Sequence, residues 1–172
     1  MAFPKPVTDL ETQNPRPTSA AMNNRLLVYL AFVIVVLGGG LLIGANNVPG
    51  EWYRGLAKPA FNPPDWVFAP AWSLLYVLIA IAGARTWLAE RSGRAMRLWF
   101  AQLVFNFAWS PAFFGWQDPA AALVIIIALL ISVAAFILVS WRRDRPSATL
   151  FLPYLGWVAF ATALNAAIVQ MN

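Results

Sequence analysis

The sequence contains no cysteine and no histidine among its 172 residues. Without thiols, the chain forms no disulfide, offers no thiolate nucleophile and cannot build a cysteine metal site. Without imidazole, it lacks the commonest protein metal ligand and the usual general base. These absences exclude conventional zinc chemistry and a Ser-His-Asp triad, so we expect no metal site and no required cofactor.

Charged residues are also scarce, at 11% of the chain, whereas hydrophobic residues make up 60% and the mean hydropathy is +0.64. A soluble domain carries roughly a quarter charged residues. The polar residues are therefore too few to cover a water-soluble globule, which predicts that lipid surrounds much of the chain. The net charge of +5 would also suit nucleic acid. However, the basic residues lie at the ends of apolar runs, which indicates membrane topology and no nucleic-acid partner.

Five stretches are long and apolar enough for transmembrane helices, each of which needs about 20 such residues. They span residues 26–45, 67–89, 98–116, 119–141 and 148–169. Most of them lack the strict alternation typical of a membrane β-barrel. The sequence therefore predicts an all-α membrane protein, a five-transmembrane-helix bundle over residues 26–172. Residues 1–25 are rich in proline, asparagine and threonine, and they predict a disordered tail.

Arginine and lysine residues are distributed unequally between the two sides of this predicted topology. One side carries Lys5, Arg16, Arg25, Arg85, Arg91, Arg94, Arg97, Arg142, Arg143 and Arg145. The opposite side carries Arg54 and Lys58. The positive-inside rule then places the N-terminus in the cytoplasm and the C-terminus outside. Helical spans with this arginine bias favour a bacterial inner membrane.

The nine tryptophans form two groups. Six lie near predicted helix ends or in the external loop, where indoles are typical of an interfacial belt. These six are Trp52, Trp66, Trp87, Trp99, Trp116 and Trp141. The others, Trp72, Trp109 and Trp157, lie several residues inside three different spans and at similar depth. These three need another explanation.

Helical spacing places each of the three deeper indoles on one face with other aromatic or polar residues. The three faces are Phe68–Trp72–Tyr76, Gln102–Asn106–Trp109 and Trp157–Ala161–Asn165. An amide that faces lipid is costly, so these faces are expected to turn into the bundle. They predict an aromatic, nearly uncharged pocket for a large flat hydrophobic ligand. The alternative, favoured for Gln102 and Asn165, is that these amides simply hydrogen-bond neighbouring helices.

Several motifs also form a pattern that runs in order from about residue 30 onward. They are WYRGLAKP at 52–59, PPDW at 63–66, WSLLY at 72–76, QLVFNFAW at 102–109, FFG at 113–115, PYLGW at 153–157 and ATALN at 161–165. This series resembles the tryptophan-rich sensory protein/translocator protein (TspO/MBR) family. The resemblance implies a five-helix bundle, usually dimeric, that binds porphyrins and synthetic isoquinoline carboxamide or benzodiazepine ligands beneath the first loop.

Carried over motif by motif, the resemblance implies a set of ligand-binding residues. The set is Asn62, Pro64, Phe68, Trp72, Tyr76, Asn106, Trp109, Trp157 and Ala161. The position of Asn62 can be histidine in animal members, so chemistry that needs that imidazole is not expected here. The chain also lacks the tyrosine and following basic residue that animal members carry at the end of the last span. Specific cholesterol binding is therefore not expected.

These observations support two functions. The first is a membrane receptor or carrier for protoporphyrin IX or haem, with Arg54 or Lys58 meeting a propionate. The second is a light- and oxygen-dependent porphyrin-degrading enzyme, as proposed for some members of the resembled family, with Trp72 and Trp157 as the oxidisable pair. Ion-coupled transport is disfavoured because the spans hold no ionisable group in mid-membrane.

A homodimer is also expected. The resemblance implies it, and Gly40 and Gly44 have the small-xxx-small spacing that lets two helices approach closely. The same spacing equally suits helix packing within one chain or room for a ligand.

Overall fold

The computed structural model describes residues 19–172, which form helices and connecting segments without a β-strand in that range. Among the described residues the first helix begins at Ser19, so residues 19–25 of the predicted tail lie in a helix. The segment after Ser19 holds alanines and a methionine without proline or glycine, and these residues favour helix. The rest of the predicted tail, residues 1–18, lies outside the described part of the chain.

The helices are labelled here in chain order. They are α1 (Ser19–Asn46), α2 (Glu51–Gly55), α3 (Asp65–Ala89), α4 (Arg94–Ser110, continued by the π-helical turn Pro111–Gly115), α5 (Pro119–Ser140) and α6 (Arg145–Met171). A π-helical turn, Ile34–Gly38, also lies inside α1. The short α2 belongs to the first loop, defined as residues 47–64, which connects α1 with α3.

Local sequence explains two of the helix boundaries. Asp118 caps α5, because its Oδ1 accepts hydrogen bonds from the backbone amides of Ala120 and Ala121 at 3.1 and 2.9 Å. Pro119 then occupies the first turn, where its missing N–H costs nothing. Helix α6 is interrupted at Phe151, two residues before Pro153, which cannot donate a backbone hydrogen bond to the preceding turn.

Within residues 19–172, four helices are long and apolar enough to cross a membrane: α1, α3, α5 and α6. This part of the chain is therefore that of an all-helical membrane protein, as predicted. The predicted span at residues 98–116 corresponds to α4, which is not among these four. Its α-helical part has 17 residues and includes Arg94, Arg97, Gln102 and Asn106. The prediction of five spans is thus confirmed only in part.

Trp99 is a core residue and not part of an interfacial belt. Its side chain is 1% exposed, and its Nε1 donates a hydrogen bond to the carbonyl of Ile79 on α3 at 3.0 Å. The ring of Phe32 packs edge-on against it at 4.9 Å between centroids. Gly83 provides the space, because a Cβ there would lie 2.4 Å from Trp99 and 2.7 Å from Phe32. The belt interpretation was wrong for this residue.

The other belt tryptophans behave differently. Trp66 and Trp116 are 74% and 71% exposed, as expected for side chains outside the core. Trp52 is partly buried, and its ring meets Phe113 edge-on at 5.8 Å. A position near a helix end therefore does not by itself determine whether an indole faces outward.

Ion pairs connect α3 and the segment after it to the loop between α5 and α6. Arg85 donates to Asp144 at 2.7 Å, and Arg143 donates to Glu90 at 3.1 Å. Burial opposes ionisation of Asp144, but hydrogen bonds from Arg85 and Ser147 outweigh it, so the pKa of Asp144 is lowered. These pairs bring the 90–93 and 141–144 segments together at what we call the arginine-rich end.

The other end of the bundle holds the first loop. The side chain of Asn172 accepts a hydrogen bond from the backbone amide of Ala57 at 3.0 Å and donates one to the Ala57 carbonyl at 3.1 Å. It also donates to the carbonyl of Ile168 on α6 at 2.9 Å. This paired contact ties the first loop to the last turn of α6.

Candidate ligand-binding site

A cavity of about 520 Å³ lies between α1, α3, α4 and α6, next to the first loop. This volume falls within the roughly 300–1,000 Å³ that is typical of small-molecule sites. Its lining is mainly apolar and aromatic. The lining residues are Leu37, Gly40, Leu41, Ile43, Gly44, Ala45, Asn47, Pro49, Tyr53, Asp65, Phe68, Ala69, Trp72, Ser73, Tyr76, Asn106, Trp109, Ser110, Phe113, Phe114, Trp157, Ala161, Leu164, Asn165 and Ile168.

Seven of the nine predicted ligand-binding residues line this cavity. They are Phe68, Trp72, Tyr76, Asn106, Trp109, Trp157 and Ala161. The three deeper indoles therefore face one hollow from three different helices. Asn62 and Pro64 do not line it; the Asn62 amide donates to the Pro63 carbonyl at 3.0 Å, and Pro64 is exposed. Whether any of the nine binds a ligand stays a prediction.

Trp72 is the centre of an aromatic cluster on one wall. Its ring lies 6.4 Å from Trp157 at 89° and 5.5 Å from Tyr76 at 34°. Phe68 meets Trp157 at 5.9 Å and 72°. Edge-to-face contacts of this kind are favourable and restrict the orientation of each ring. The rings of this wall therefore restrict one another to these orientations.

A second aromatic wall comes from the π-helical turn at the end of α4. Trp109 stacks on Phe113 with 5.4 Å between centroids and 28° between planes, and Phe114 packs edge-on against Tyr53 at 5.4 Å. Consecutive residues on a regular α-helix point in directions about 100° apart, yet both phenylalanines line the cavity. Residues 113 and 114 and Tyr53 were not in the predicted set. The FFG motif and the preceding Pro111 were the available signals.

A chain of hydrogen bonds joins three helices at the cavity wall. The Tyr76 hydroxyl donates to Asn106 Oδ1 at 3.3 Å, Asn106 Nδ2 donates to the Tyr154 hydroxyl at 2.9 Å, and that hydroxyl donates to Gln102 Oε1 at 2.9 Å. The amide of Asn106 is thus already engaged on both its oxygen and its nitrogen. The expectation that Gln102 hydrogen-bonds a neighbouring helix is confirmed, with Tyr154 as a partner that was not predicted.

The three deeper tryptophans differ in hydrogen bonding. Trp109 Nε1 donates to Asn165 Oδ1 at 3.1 Å, and Asn165 Nδ2 donates to the Pro119 carbonyl at 2.8 Å. This confirms the interhelical role expected of Asn165. Trp157 Nε1 is buried and has no hydrogen-bond partner within residues 19–172. Trp157 is therefore held by packing, including ring contacts with Phe68 and Trp72, whereas the orientation of Trp109 is fixed by a polar contact as well.

The charged residue in the cavity wall is an acid and not a base. Asp65 lines the cavity, whereas Arg54 and Lys58 do not. The Lys58 ammonium lies 4.5 Å above the ring of Tyr53 and donates to the Leu56 carbonyl at 3.3 Å. Burial and the nearby Asp65 raise the pKa of Tyr53, and the Asn62 side chain opposes that shift. A ligand carboxylate inside the cavity would therefore meet no lysine or arginine side chain.

Helix α1 also contributes to the cavity lining, although none of its residues was among the nine predicted ligand-binding residues. Leu37, Gly40, Leu41 and Gly44 all line the cavity. A Cβ on Gly40 would lie 2.2 Å from the ring of Tyr76, whereas one on Gly44 would meet nothing within 4 Å. Gly40 thus permits close packing within the chain, and Gly44 borders open cavity. Of the alternatives left open for this glycine pair, Gly40 agrees with helix packing within one chain and Gly44 agrees with room for a ligand. The dimer stays a prediction.

Comparison with known proteins covers all the helices that line the cavity. A sequence profile of the TspO/MBR family matches residues 31–171. The chain is 44% identical over 154 residues to the tryptophan-rich protein TspO of Archaeoglobus fulgidus, covering 88% of this chain and 99% of that protein. It is 39% identical over 151 residues to the tryptophan-rich sensory protein of Cereibacter sphaeroides, covering 88% and 95%. It is 37% identical over 142 residues to the human translocator protein, covering 77% and 83%. The chain therefore belongs to the TspO/MBR family.

Proposed function

We propose that the protein is a membrane receptor or carrier that binds porphyrins and similar flat hydrophobic ligands in the 520 Å³ cavity. The observation that carries this proposal is the convergence of Trp72, Trp109 and Trp157 on one hollow from three helices. A porphyrin is a flat, mostly apolar ring system, and indole rings contact such surfaces favourably by stacking or by their edges. The names of two relatives, a tryptophan-rich sensory protein and a translocator protein, agree with ligand recognition in a membrane.

The charge distribution determines how a porphyrin would sit. Burying a propionate beside Asp65 without a cation is costly. The propionate edge of the porphyrin is therefore expected to lie at the opening of the cavity, near Arg54 and Lys58 of the first loop. Its apolar edge is expected to lie inside the cavity. Because the chain has neither histidine nor cysteine, the usual axial ligands for haem iron are missing. Protoporphyrin IX is accordingly expected to bind at least as well as haem.

A second candidate function is light- and oxygen-dependent degradation of the bound porphyrin. It is favoured by the perpendicular contact of Trp72 and Trp157, 6.4 Å apart, in the same cavity wall. Photo-oxidation with molecular oxygen as the oxidant needs proximity of an indole to the excited pigment and no general acid or base. Trp72 and Trp157 are then the candidate catalytic residues.

One titration tests both candidate functions. Purified protein is mixed with protoporphyrin IX in the dark while tryptophan fluorescence is followed, and saturable quenching is expected. The complex is then illuminated in the presence of oxygen. Stable porphyrin absorption bands identify a receptor or carrier. Loss of the bands identifies an enzyme, provided that Trp72→Phe and Trp157→Phe abolish the loss and retain binding.

The control for this titration is Trp116→Phe, because Trp116 is exposed and does not line the cavity. Protoporphyrin IX is expected to quench the tryptophan fluorescence of this variant, and to change under light, as it does with the parent protein. Absence of saturable quenching in the parent protein would contradict both candidate functions.

We also propose that α4 crosses the membrane with the other four helices, giving five crossings. Its polar residues Gln102 and Asn106 are buried inside the bundle. Before its first turn, Glu90 of the preceding segment pairs with Arg143 at the arginine-rich end, and after its last turn a Cβ on Gly115 would lie 2.9 Å from Asn47 of the first loop. The positive-inside rule then places the arginine-rich end in the cytoplasm of a bacterial inner membrane. A reporter fused after Asn172 is expected to give a non-cytoplasmic signal, and a cytoplasmic signal would refute this orientation.

A further inference from the structure

A second hollow, here called the outer groove, lies on the surface of the bundle between α1, α3 and α4. It has a volume of about 180 Å³ and is lined by Ala31, Phe32, Val35, Trp87, Trp99 and Phe100. It shares no lining residue with the main cavity. Val35 and Phe100 are 54% and 45% exposed, so the groove faces the surroundings of the bundle. Its volume is below the roughly 300 Å³ at which small-molecule sites begin, which favours a slender apolar chain.

The outer groove is built from rings that hold one another in place. Phe32 packs against Trp99 at 4.9 Å and against Trp87 at 6.1 Å. Phe100 meets both indoles edge-on, at 5.2 Å from Trp99 and 6.5 Å from Trp87. The hydrogen bond from Trp99 Nε1 to the Ile79 carbonyl fixes the orientation of this buried indole at the bottom of the groove. The groove is therefore preformed, and an occupant would not need to reorder these side chains.

Positive charge lies at the arginine-rich end of the outer groove. The Arg91 guanidinium lies 5.5 Å above the ring of Trp87. Arg25 precedes Phe32 by seven residues on α1, and Arg97 precedes Phe100 by three on α4. These spacings place both arginines on the same helix faces as the groove, nearer that end. Within residues 19–172, the ion pairs are Arg85–Asp144 and Arg143–Glu90, so none of these three arginines forms an ion pair there.

We propose that the outer groove binds an anionic phospholipid. One acyl chain occupies the apolar hollow, and the phosphate lies within reach of Arg91, with Arg25 and Arg97 adding attraction. Basic clusters beside apolar surfaces at the cytoplasmic boundary recognise anionic headgroups in this way. A symmetric contact with a second copy of the chain would instead bring two sets of arginines together. The charge pattern therefore favours the lipid as occupant.

The proposal is tested by native mass spectrometry of the delipidated protein with added phosphatidylglycerol or phosphatidylcholine. The parent is expected to retain phosphatidylglycerol preferentially, by about fivefold, and Arg91→Gln is expected to lose most of this preference. Arg142→Gln is the matched control, since Arg142 is an exposed arginine in the loop between α5 and α6. It is expected to retain lipid as the parent does.

A second pair of variants tests the apolar part of the site. Val35→Trp fills the groove and is expected to reduce retention of both lipids. Val124→Trp, at an exposed position on α5, is its control. Equal retention of the two lipids by the parent would overturn the proposal, as would unchanged phosphatidylglycerol retention in both Arg91→Gln and Val35→Trp. The proposal would also be overturned if the parent protein formed a dimer without lipid and Val35→Trp converted that dimer to a monomer. The occupant of the groove would then be a second copy of the chain.

Discussion

Replacing Trp99 with alanine is expected to destabilise the folded protein by about 3 kcal/mol, as large core truncations do. The indole is almost completely buried among α1, α3 and α4, and it contacts Phe32 and Phe100 while donating to Ile79. Its removal leaves a hollow at the junction of three helices, where close packing stabilises a membrane bundle. The measurement is the free energy of unfolding in detergent micelles, followed by circular dichroism during denaturant titration.

Trp116→Ala is the matched control for this prediction. Trp116 is mostly exposed just after α4, so its truncation is expected to change stability by about 0.5 kcal/mol or less. Equal and small effects of the two substitutions would contradict the buried position of Trp99 and would restore the belt interpretation. A large effect of Trp99→Ala alone would agree with the packing described here.

Trp99 illustrates what the sequence could not reveal about this fold. The apolar run predicts a span from residue 98, which puts Trp99 at a helix end, but α4 begins at Arg94 and carries the indole into the bundle. Its burial depends on Gly83 of another helix, where any side chain would collide with the ring. Such pairing between distant residues has no local signal in one sequence.

The central part of the candidate site was predictable because the chemistry of its polar residues restricts where they can lie in a membrane. Asn106 and Asn165 need hydrogen-bond partners that lipid does not supply. Their spacing relative to Trp109 and Trp157 therefore indicated which helix faces turn inward. The cavity lining agrees with this argument for Trp109 and Trp157, and Trp72 lines the same cavity from a face that carries no amide.

Other parts of the lining carry no comparable signal. Residues 26–45 of α1 are apolar on all sides, so the sequence does not distinguish the face that contributes Leu37 and Gly44 to the cavity. Phe113 and Phe114 line the wall together on a π-helical turn, a local geometry that helical spacing does not predict. Asn62 and Pro64 belong to the first loop, whose path depends on contacts such as that between Ala57 and Asn172.

Replacing Ala161 with phenylalanine is expected to weaken protoporphyrin IX binding at least tenfold. Ala161 lies one turn after Trp157 on α6, and its small side chain lines the main cavity. A phenyl ring at this position would occupy the space in which we propose the porphyrin lies, and such overpacking costs about 1–3 kcal/mol. Without ligand, the ring has a hollow of about 520 Å³ to enter, so the unfolding temperature is expected to stay near that of the parent.

Ala163→Phe distinguishes loss of ligand space from a general effect of an added ring on α6. Ala163 is exposed, and two residues along a helix correspond to a rotation of about 200°, so its side chain points away from the cavity. Protoporphyrin IX is expected to quench the tryptophan fluorescence of this variant with the same affinity as that of the parent. If Ala161→Phe also binds with unchanged affinity, the porphyrin does not occupy the space beside Trp157, and the proposed site is wrong. If both variants lose binding and unfold at lower temperature, the effect lies in the fold of α6 and the cavity assignment is likewise contradicted.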